Sequence, residues 1–409
     1  MEKADWNTLP RDAAGLTRYS QGALERLLNW QIVRLDGKLE DLMEAPILYL
    51  CGQTAWEFSD AEVERLREFC NRGGMMLAVA DHDSADFVRG IEALGKRLYP
   101  DYAFKPLPAN HPLFSGEVGT PIKNPPPLLE LSNGLRTLIL LSPKAISASW
   151  HRYQVRGKEA DFQLGVNIYL YATDKSAPRS RLRSPFMSLR PVAIKREIKV
   201  ARIKYDGLWN PEPFGWERLA TYMNNETSTK LVVTPGIALD APDLDNYNVL
   251  HMTGAGAFKL SEAEVKGLRR YLTGGGTLIV DAGGGSREFI VSLDGYLKDI
   301  LHAEAERLPD TSPLMTGQGL PAGGALKGVT YKRSARRESA GRDMPLLMIY
   351  RDKRHVPVIY SPLDLSTALL GTEVYNCRGY EGDSALRIMR NLLMYAQMSA
   401  ADKARMADK

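Results

Sequence analysis

Residues 47–116 of this chain read again, almost without gaps, at 249–317. The segment Ser59-Asp60-Ala61-Glu62-Val63-Glu64-Arg65-Leu66-Arg67 returns as Ser261-Glu262-Ala263-Glu264-Val265-Lys266-Gly267-Leu268-Arg269. Gly73-Gly74 returns as Gly275-Gly276, Ser84 and Phe87 as Ser286 and Phe289, and Pro112-Leu113 as Pro313-Leu314. A period of about 200 residues is the size of a domain, so the chain reads as a duplicated domain and not as a solenoid. The likeness extends outwards. Trp6-Asn7 and Pro10 match Trp209-Asn210 and Pro213, Leu16 and Tyr19 match Leu219 and Tyr222, and the apolar helix 167–172 matches 391–396. The expected organisation is a first domain over 1–175, a basic Pro-containing linker over 176–197, a second domain over 198–399 and a charged tail over 400–409.

The interior of each copy alternates strands and helices. Short apolar runs at 46–51 and 247–252 read as buried strands. Ser59 and Ser261 stand three residues before Glu62 and Glu264, the spacing of a capping box, so a helix starts at each. Val63, Leu66 and Cys70, like Val265, Leu268 and Leu272, then fall on one apolar stripe. Gly73-Gly74 and Gly274-Gly275-Gly276 end these helices, and strands follow over 75–80 and 277–282. Buried strands separated by helices imply a parallel sheet covered on both faces, so each copy is expected to be a doubly wound α/β domain. Strands 47–51 and 75–80 should pair in parallel, as should 248–252 and 277–281. The copies differ at their starts. Copy two opens with an alternating strand over 199–205, for which copy one has no counterpart. An opening strand usually lies centrally in such a sheet, so copy one is expected to borrow a strand or to be preceded by one.

Composition bounds the function. The chain is 44% apolar and 25% charged, with a formal net charge of +4, which excludes a strongly basic nucleic-acid binder. Much of the surplus is local: Arg179, Arg181, Arg183, Arg190, Lys195, Arg196, Lys199, Arg202 and Lys204 face only Glu197, with Pro178, Pro185 and Pro191 between them. This reads as a solvated linker. Cys51, Cys70 and Cys377 are odd in number and lack metal-ligand spacing, so neither a disulfide framework nor a zinc site is implied. No apolar run approaches the ~20 residues of a membrane span. The start, Met1-Glu2-Lys3-Ala4-Asp5-Trp6, has no signal-peptide core. The expected location is cytoplasmic as the sequence stands, and periplasmic or secreted if residues precede Met1.

Ligands of doubly wound sheets bind beyond the carboxyl ends of the strands. In copy one those positions carry Gly52, Asp81, His82 and Asp83; in copy two they carry Asp281, Gly283 and Gly284. Asp81-His82-Asp83 has the residue types for metal or acid–base chemistry, against which stands a plain helix-capping loop. Gly283-Gly284-Gly285 offers backbone N–H groups to an anion, against which stands a tight turn; it has neither P-loop nor dinucleotide-fold spacing. Cys51 ends a strand, but Thr253 matches it, so a buried structural thiol is expected. His111 has Ser312 as its counterpart and reads as a turn residue. Trp209, with Trp216, could line a pocket beside Asp206 or close the first strand–helix turn.

Taken together, strand-Gly, Ser-x-Ala-Glu-Val-x-x-Leu-Arg, Gly-Gly-strand-Asp and Asn110-His111-Pro112-Leu113-Phe114 resemble the bacterial domain-of-unknown-function family numbered 4159, in two copies over 5–397. The resemblance implies a flavodoxin-like fold similar to class I glutamine amidotransferases. In those proteins a catalytic cysteine occupies the elbow where this chain has Asp81-His82 or Ala282-Gly283. The expectation is therefore a non-enzymatic protein that binds a small ligand or protein partner through Gly52, Asp81, His82, Asp83, His111, Asp206, Trp209, Asp281, Gly283 and Gly284. The alternatives are a hydrolase of a sugar or amide with Asp81 and His82 as acid–base or metal residues, and an envelope scaffold. The sequence names no cofactor.

Overall fold

A computed structural model describes residues 5–176, 186–351 and 355–407, and its backbone falls into two units. One is Met1–Pro185 with Glu373–Tyr375; the other is Phe186–Thr372 with Asn376–Lys409. Of the stretch read as a linker, Pro178, Arg179, Arg181, Arg183 and Pro185 lie outside the described residues.

The first unit runs α1 (Asp12–Leu24), α2 (Leu39–Leu42), β1 (Ile47–Gly52), α3 (Asp60–Asn71), β2 (Met75–Ala80), α4 (Ala85–Leu98), β3 (Lys105–Pro106), α5 (Pro112–Ser115), β4 (Leu129–Ser132), β5 (Thr137–Ser142), α6 (Ser147–Arg152) and α7 (Glu159–Ala172). Its sheet has the order β1-β2-β5-β4-β3. Strands β1, β2 and β5 are parallel, with Cys51 opposite Val79 and Val79 opposite Ser142. Strands β4 and β3 are antiparallel additions, so the sheet is mixed where a wholly parallel one was expected. The reason is Asn133-Gly134. Gly134 takes φ +88° and the Asn133 side chain accepts from the N–H groups of Leu135 and Arg136, which folds β4 back onto β5 as a hairpin.

The second unit runs β6 (Arg196–Lys204), α8 (Gly215–Thr227), β7 (Thr229–Ala238), β8 (Val249–Gly254), α9 (Glu262–Thr273), β9 (Leu278–Ala282), α10 (Arg287–Leu301), β10 (Glu306–Arg307), α11 (Pro313–Thr316), α12 (Arg336–Ser339), β11 (Met348–Tyr350), β12 (Val358–Ser361), α13 (Ser366–Leu370), α14 (Gly382–Ala396) and α15 (Ala400–Ala407). The sheet order is β10-β11-β12-β9-β8-β6-β7. Strands β7, β6, β8, β9 and β12 are parallel, and β11 and β10 again turn back antiparallel at one edge. Arg196 and Glu197, read as linker, open β6, because Ile198 and Val200 are apolar and buried. The charged tail forms α15, and Lys403 is buried there with its Nζ donating to Thr277 Oγ1 at 3.0 Å.

Both capping boxes form as the spacing predicts. Ser59 Oγ accepts from Glu62 N–H while Ser59 N–H donates to Glu62 Oε2 at 2.9 Å; Ser261 and Glu264 do the same, with the latter bond at 2.8 Å. Alternate residues of the second sheet then face two layers. Ile198, Val200, Val249 and Ile279 pack with α8 and α14, whereas Ala201, Ile203, Leu250 and Leu278 pack with α9 and α10. Strand β6 lies between β7 and β8, next to the sheet edge and not at its centre. The opening strand is therefore not central as expected, and copy one's sheet has no central gap: it ends at β1, and among the described residues no strand lies beyond it.

Candidate functional site

The exposed polar cluster at the strand ends of the first unit starts from a loop that Asp5 holds. Its Oδ2 accepts from Gln53 N–H at 2.5 Å and from Thr54 N–H at 2.8 Å, and its Oδ1 accepts from the Trp56 indole. Gln53 Nε2 is thereby aimed at the end of β2, where it donates to Asp81 Oδ2 at 2.8 Å and approaches His82 Nδ1 at 3.1 Å. His82 Nδ1 lies 3.0 Å from Asp81 Oδ1. Asp81 is buried, whereas the His82 side chain is 75% exposed. Burial works to raise the Asp81 pKa, but the Gln53 hydrogen bond and the adjacent His82 outweigh it and hold the carboxyl below the usual range. Asp81 therefore carries no proton to donate at neutral pH. Asp83 turns the other way. Its Oδ2 accepts from Lys144 Nζ and its Oδ1 from Ala145 N–H, both at 2.8 Å, and these bonds depress its pKa. His82 and Asp83 both adopt positive φ, +53° and +56°, a region that costs a side chain but not a glycine.

The second unit places Gly284 and Gly285 at the same two positions, with φ +62° and +75°. The glycine run forms the tight turn that stood against anion binding, and the carboxylate at its N–H groups is the chain's own. Gly284 N–H donates to Asp364 Oδ2 at 2.7 Å, and Arg378 packs over Gly285. The loops after β9 and β12 are thus joined by a carboxylate from the second, whereas Asp83 joins the loops after β2 and β5 from the first. Burial, with Asp281 nearby, pushes the Asp364 carboxyl up to about 6.

Asp281 is wholly enclosed. Its Oδ2 accepts from Leu365 N–H and Ser366 N–H, and its Oδ1 from Ser366 Oγ and His251 Nε2 at 2.9 and 3.0 Å. Burial opposes ionisation here, yet these bonds hold the Asp281 pKa low, so it only accepts and His251 Nε2 carries the proton. Burial lowers the His251 pKa, which leaves the imidazole neutral. Arg202, on β6, adds a buried guanidinium. Its Nη1 donates to Asn210 Oδ1, its charge lies 5.5 Å over the Trp216 ring, and burial lowers its pKa to about 10. Arg202 Nε and Nη2, His251 Nδ1, Thr253 Oγ1 and Trp216 Nε1 have no hydrogen-bond partner among the described residues. None of Arg202, His251, Thr253 and Asp281 is more than 2% exposed, so this is a closed polar layer in the core and not a cleft. The sequence reading missed Arg202 and His251. The signal was their phase: Val200-x-Arg202, Val249-x-His251-x-Thr253 and Ile279-x-Asp281 end three neighbouring strands in polar residues on one inward face.

The remaining candidates do not join either cluster. His111 caps α5, its Nδ1 accepting from Leu113 N–H at 3.3 Å, and its ring packs on Phe114 and Tyr171. Ser312 caps α11 in the same way through Leu314 N–H at 3.3 Å. Gly52 is needed for packing, because a Cβ there would lie 2.8 Å from the Trp56 ring and 2.9 Å from that of Phe87. Trp209 and Trp216 pack on opposite faces of the sheet and do not line one pocket, while Asp206 is exposed and its backbone forms an isolated antiparallel β-bridge with Lys259. Cys51 lies 3.5 Å from Ser147 Oγ, and burial pushes its thiol up to about 11; burial likewise raises Cys377. Among the described residues no group of three or more His, Cys, Asp or Glu is placed to hold a metal ion, and no helix is long and apolar enough to cross a membrane.

A comparison with curated proteins gave no match. The family model described as "Domain of unknown function (DUF4159)" matches residues 1–173 and again residues 199–397. These spans take in the first sheet, all but the start of β6 in the second, both capping boxes and both strand-end loops, so the chain belongs to the DUF4159 family and carries its domain in tandem.

Proposed function

We propose that the protein is a non-enzymatic binding protein built on two flavodoxin-like domains of the class I glutamine amidotransferase type, without their cysteine chemistry. The strand order supports the fold. Numbered as they appear, the parallel strands β7-β6-β8-β9-β12 run 2-1-3-4-5, the flavodoxin order, and β1-β2-β5 supply the last three of these in the first unit. The loops after β2 and β9 carry Asp81-His82 and Gly283-Gly284 where an amidotransferase nucleophile would stand, and burial holds the Cys51 and Cys377 thiols protonated.

One observation carries the binding role: the exposed His82 imidazole, held in a left-handed turn against the buried, ionised Asp81. The pair, with Gln53, offers a small polar ligand or a partner side chain a fixed donor and acceptor at the strand ends. A thermal-shift screen with sugars, amino acids, inorganic phosphate and divalent metals tests this. A compound that raises the Tm of the wild type, and does so at least tenfold less potently with His82→Ala and Asp81→Asn, supports the site. Responses that survive both substitutions, or no response across the panel, refute it.

A further inference from the structure

We infer that the second unit encloses a neutral guest of hydroxyl chemistry, internal water or a small polyol, between β6, β8 and the start of α8. The inference is independent of the strand-end site of the first unit. Four side chains carry it. Arg202 on β6 lies opposite His251 on β8, and Thr253 follows two residues on, on the same face. The Trp216 ring meets both partners: it lies 4.6 Å from the His251 ring, centroid to centroid, and 5.5 Å from Arg202 Cζ. Five polar atoms of this group, Arg202 Nε and Nη2, His251 Nδ1, Thr253 Oγ1 and Trp216 Nε1, have no hydrogen-bond partner among the described residues, and none of the four residues is more than 3% exposed. Buried polar groups are nearly always paired, and five left bare would cost as much as the whole net stability of a domain.

The place is one where a sheet of this kind takes a ligand. The chain runs from β6 to β7 on one side, and β8 pairs with β6 on the other, so strand order reverses between β6 and β8. Ligands bind at the carboxyl ends of the strands at such a reversal. Arg202 and Thr253 stand within two residues of those ends. The loop after β6 reaches the group through Asn210, which is part-exposed and accepts from Arg202 Nη1. Copy one builds no such group. Ala13, Tyr49 and Cys51 stand at the positions of Trp216, His251 and Thr253; the Tyr49 hydroxyl donates to Asp12, and Cys51 meets Ser147.

The atoms define the guest. With Nη1 held by Asn210, Arg202 presents its side-on edge, Nε–H and Nη2–H, and the Trp216 indole adds a third donor. His251 Nε2 donates to Asp281, so its Nδ1 can only accept, while Thr253 Oγ1 can do either. The guest therefore has both to accept and to donate. An anion would suit the three donors but would meet the Nδ1 lone pair, beside the carboxylates of Asp281 and Glu212 that already balance Arg202. A cation would face the guanidinium. Hydroxyl oxygens and water match both roles, as internal water does in protein interiors.

The test uses the full chain. Its crystal structure should show density within hydrogen-bond distance of Arg202 Nε or Nη2 and of two of Trp216 Nε1, His251 Nδ1 and Thr253 Oγ1. Thr253→Val keeps the shape and deletes the hydroxyl. It should lower the Tm of the second unit by about 2–4 °C, because the guest loses a partner; a bare hydroxyl would instead raise the Tm on removal. Native mass spectrometry separates the two sources: a discrete excess mass that is lost on denaturation assigns a polyol, and no excess assigns water. The inference is overturned if no density lies at these atoms, or if Thr253→Val is as stable as the wild type or more so. Bromide bound there in soaked crystals, seen by anomalous scattering, equally overturns it, since the site would then take an anion.

Discussion

The two copies share their helix caps, their first parallel strand pair and their strand-end loops, and they part company at one edge. In the second unit five parallel strands bury both faces of the sheet, and a polar layer of Arg202, His251 and Asp281 is sealed inside. Among the described residues the three parallel strands of the first unit end at β1, and the positions of His251, Thr253 and Asp281 are taken by Tyr49, Cys51 and Val79. Tyr49 still finds a buried partner, its hydroxyl donating to Asp12 Oδ2 at 2.6 Å. The difference teaches that the polar layer depends on β6. Without the strand that carries Arg202 no buried cation needs an acid, and an apolar residue can stand where Asp281 does.

The largest expected effect tests that dependence. Asp281→Ala removes the acceptor for Leu365, Ser366 and His251 and leaves Arg202 buried with less counter-charge. It should cost the second unit about 3–5 kcal/mol. Denaturant unfolding, with exchange resolved by unit, would show the first unit unaffected; a loss below about 1 kcal/mol would break the comparison.

Gly285→Ala probes the strand-end loop. Its φ is +75° and a Cβ would sit 2.6 Å from Arg378 Cβ, so a cost of about 2–3 kcal/mol is expected. Asp83 occupies this position in the first unit with the same sign of φ, where no such wall is built. A neutral outcome in a thermal melt would mean that the Arg378 segment yields. Cys51→Ala should cost only about 1 kcal/mol through a small cavity, and native Cys51 should resist iodoacetamide at neutral pH. Rapid labelling in intact-protein mass spectrometry would reverse that reading. The smallest change is expected of His111→Ser, which installs the cap that the second copy already uses. A shift in stability beyond about 0.5 kcal/mol, by chemical denaturation, would show that His111 does more than cap α5.

What could be read from the sequence was local. Ser59 with Glu62 and Ser261 with Glu264 fix helix starts through bonds a few residues long, and the strands on either side then have little choice but to pair in parallel. The antiparallel additions were also written locally in the first unit, in Asn133-Gly134, but the parallel reading passed over them. Residues 26–35 show the limit of local reading. Their composition favours a strand, yet they form none; a strand requires a neighbour, and that neighbour is not set by their own residues. For the site, Asp81 and His82 come together as adjacency suggests, whereas His111 does not join them. In sequence Arg202 is one more charge of a basic stretch; only strand alternation places it inside.

The junction between neighbouring strand-end loops has a consequence for recombination between the repeats. Asp83 supplies its carboxylate from the loop after β2, and Asp364 supplies its own from the loop after β12. An exchange of genetic material that joined the first loop of copy one to the second loop of copy two would set two carboxylates against each other. The reciprocal product would pair Gly285 with Ala145 and have none. A hybrid across this joint is therefore expected to be less stable than either copy, because the two loops of each copy are matched to one another and not to those of the other repeat.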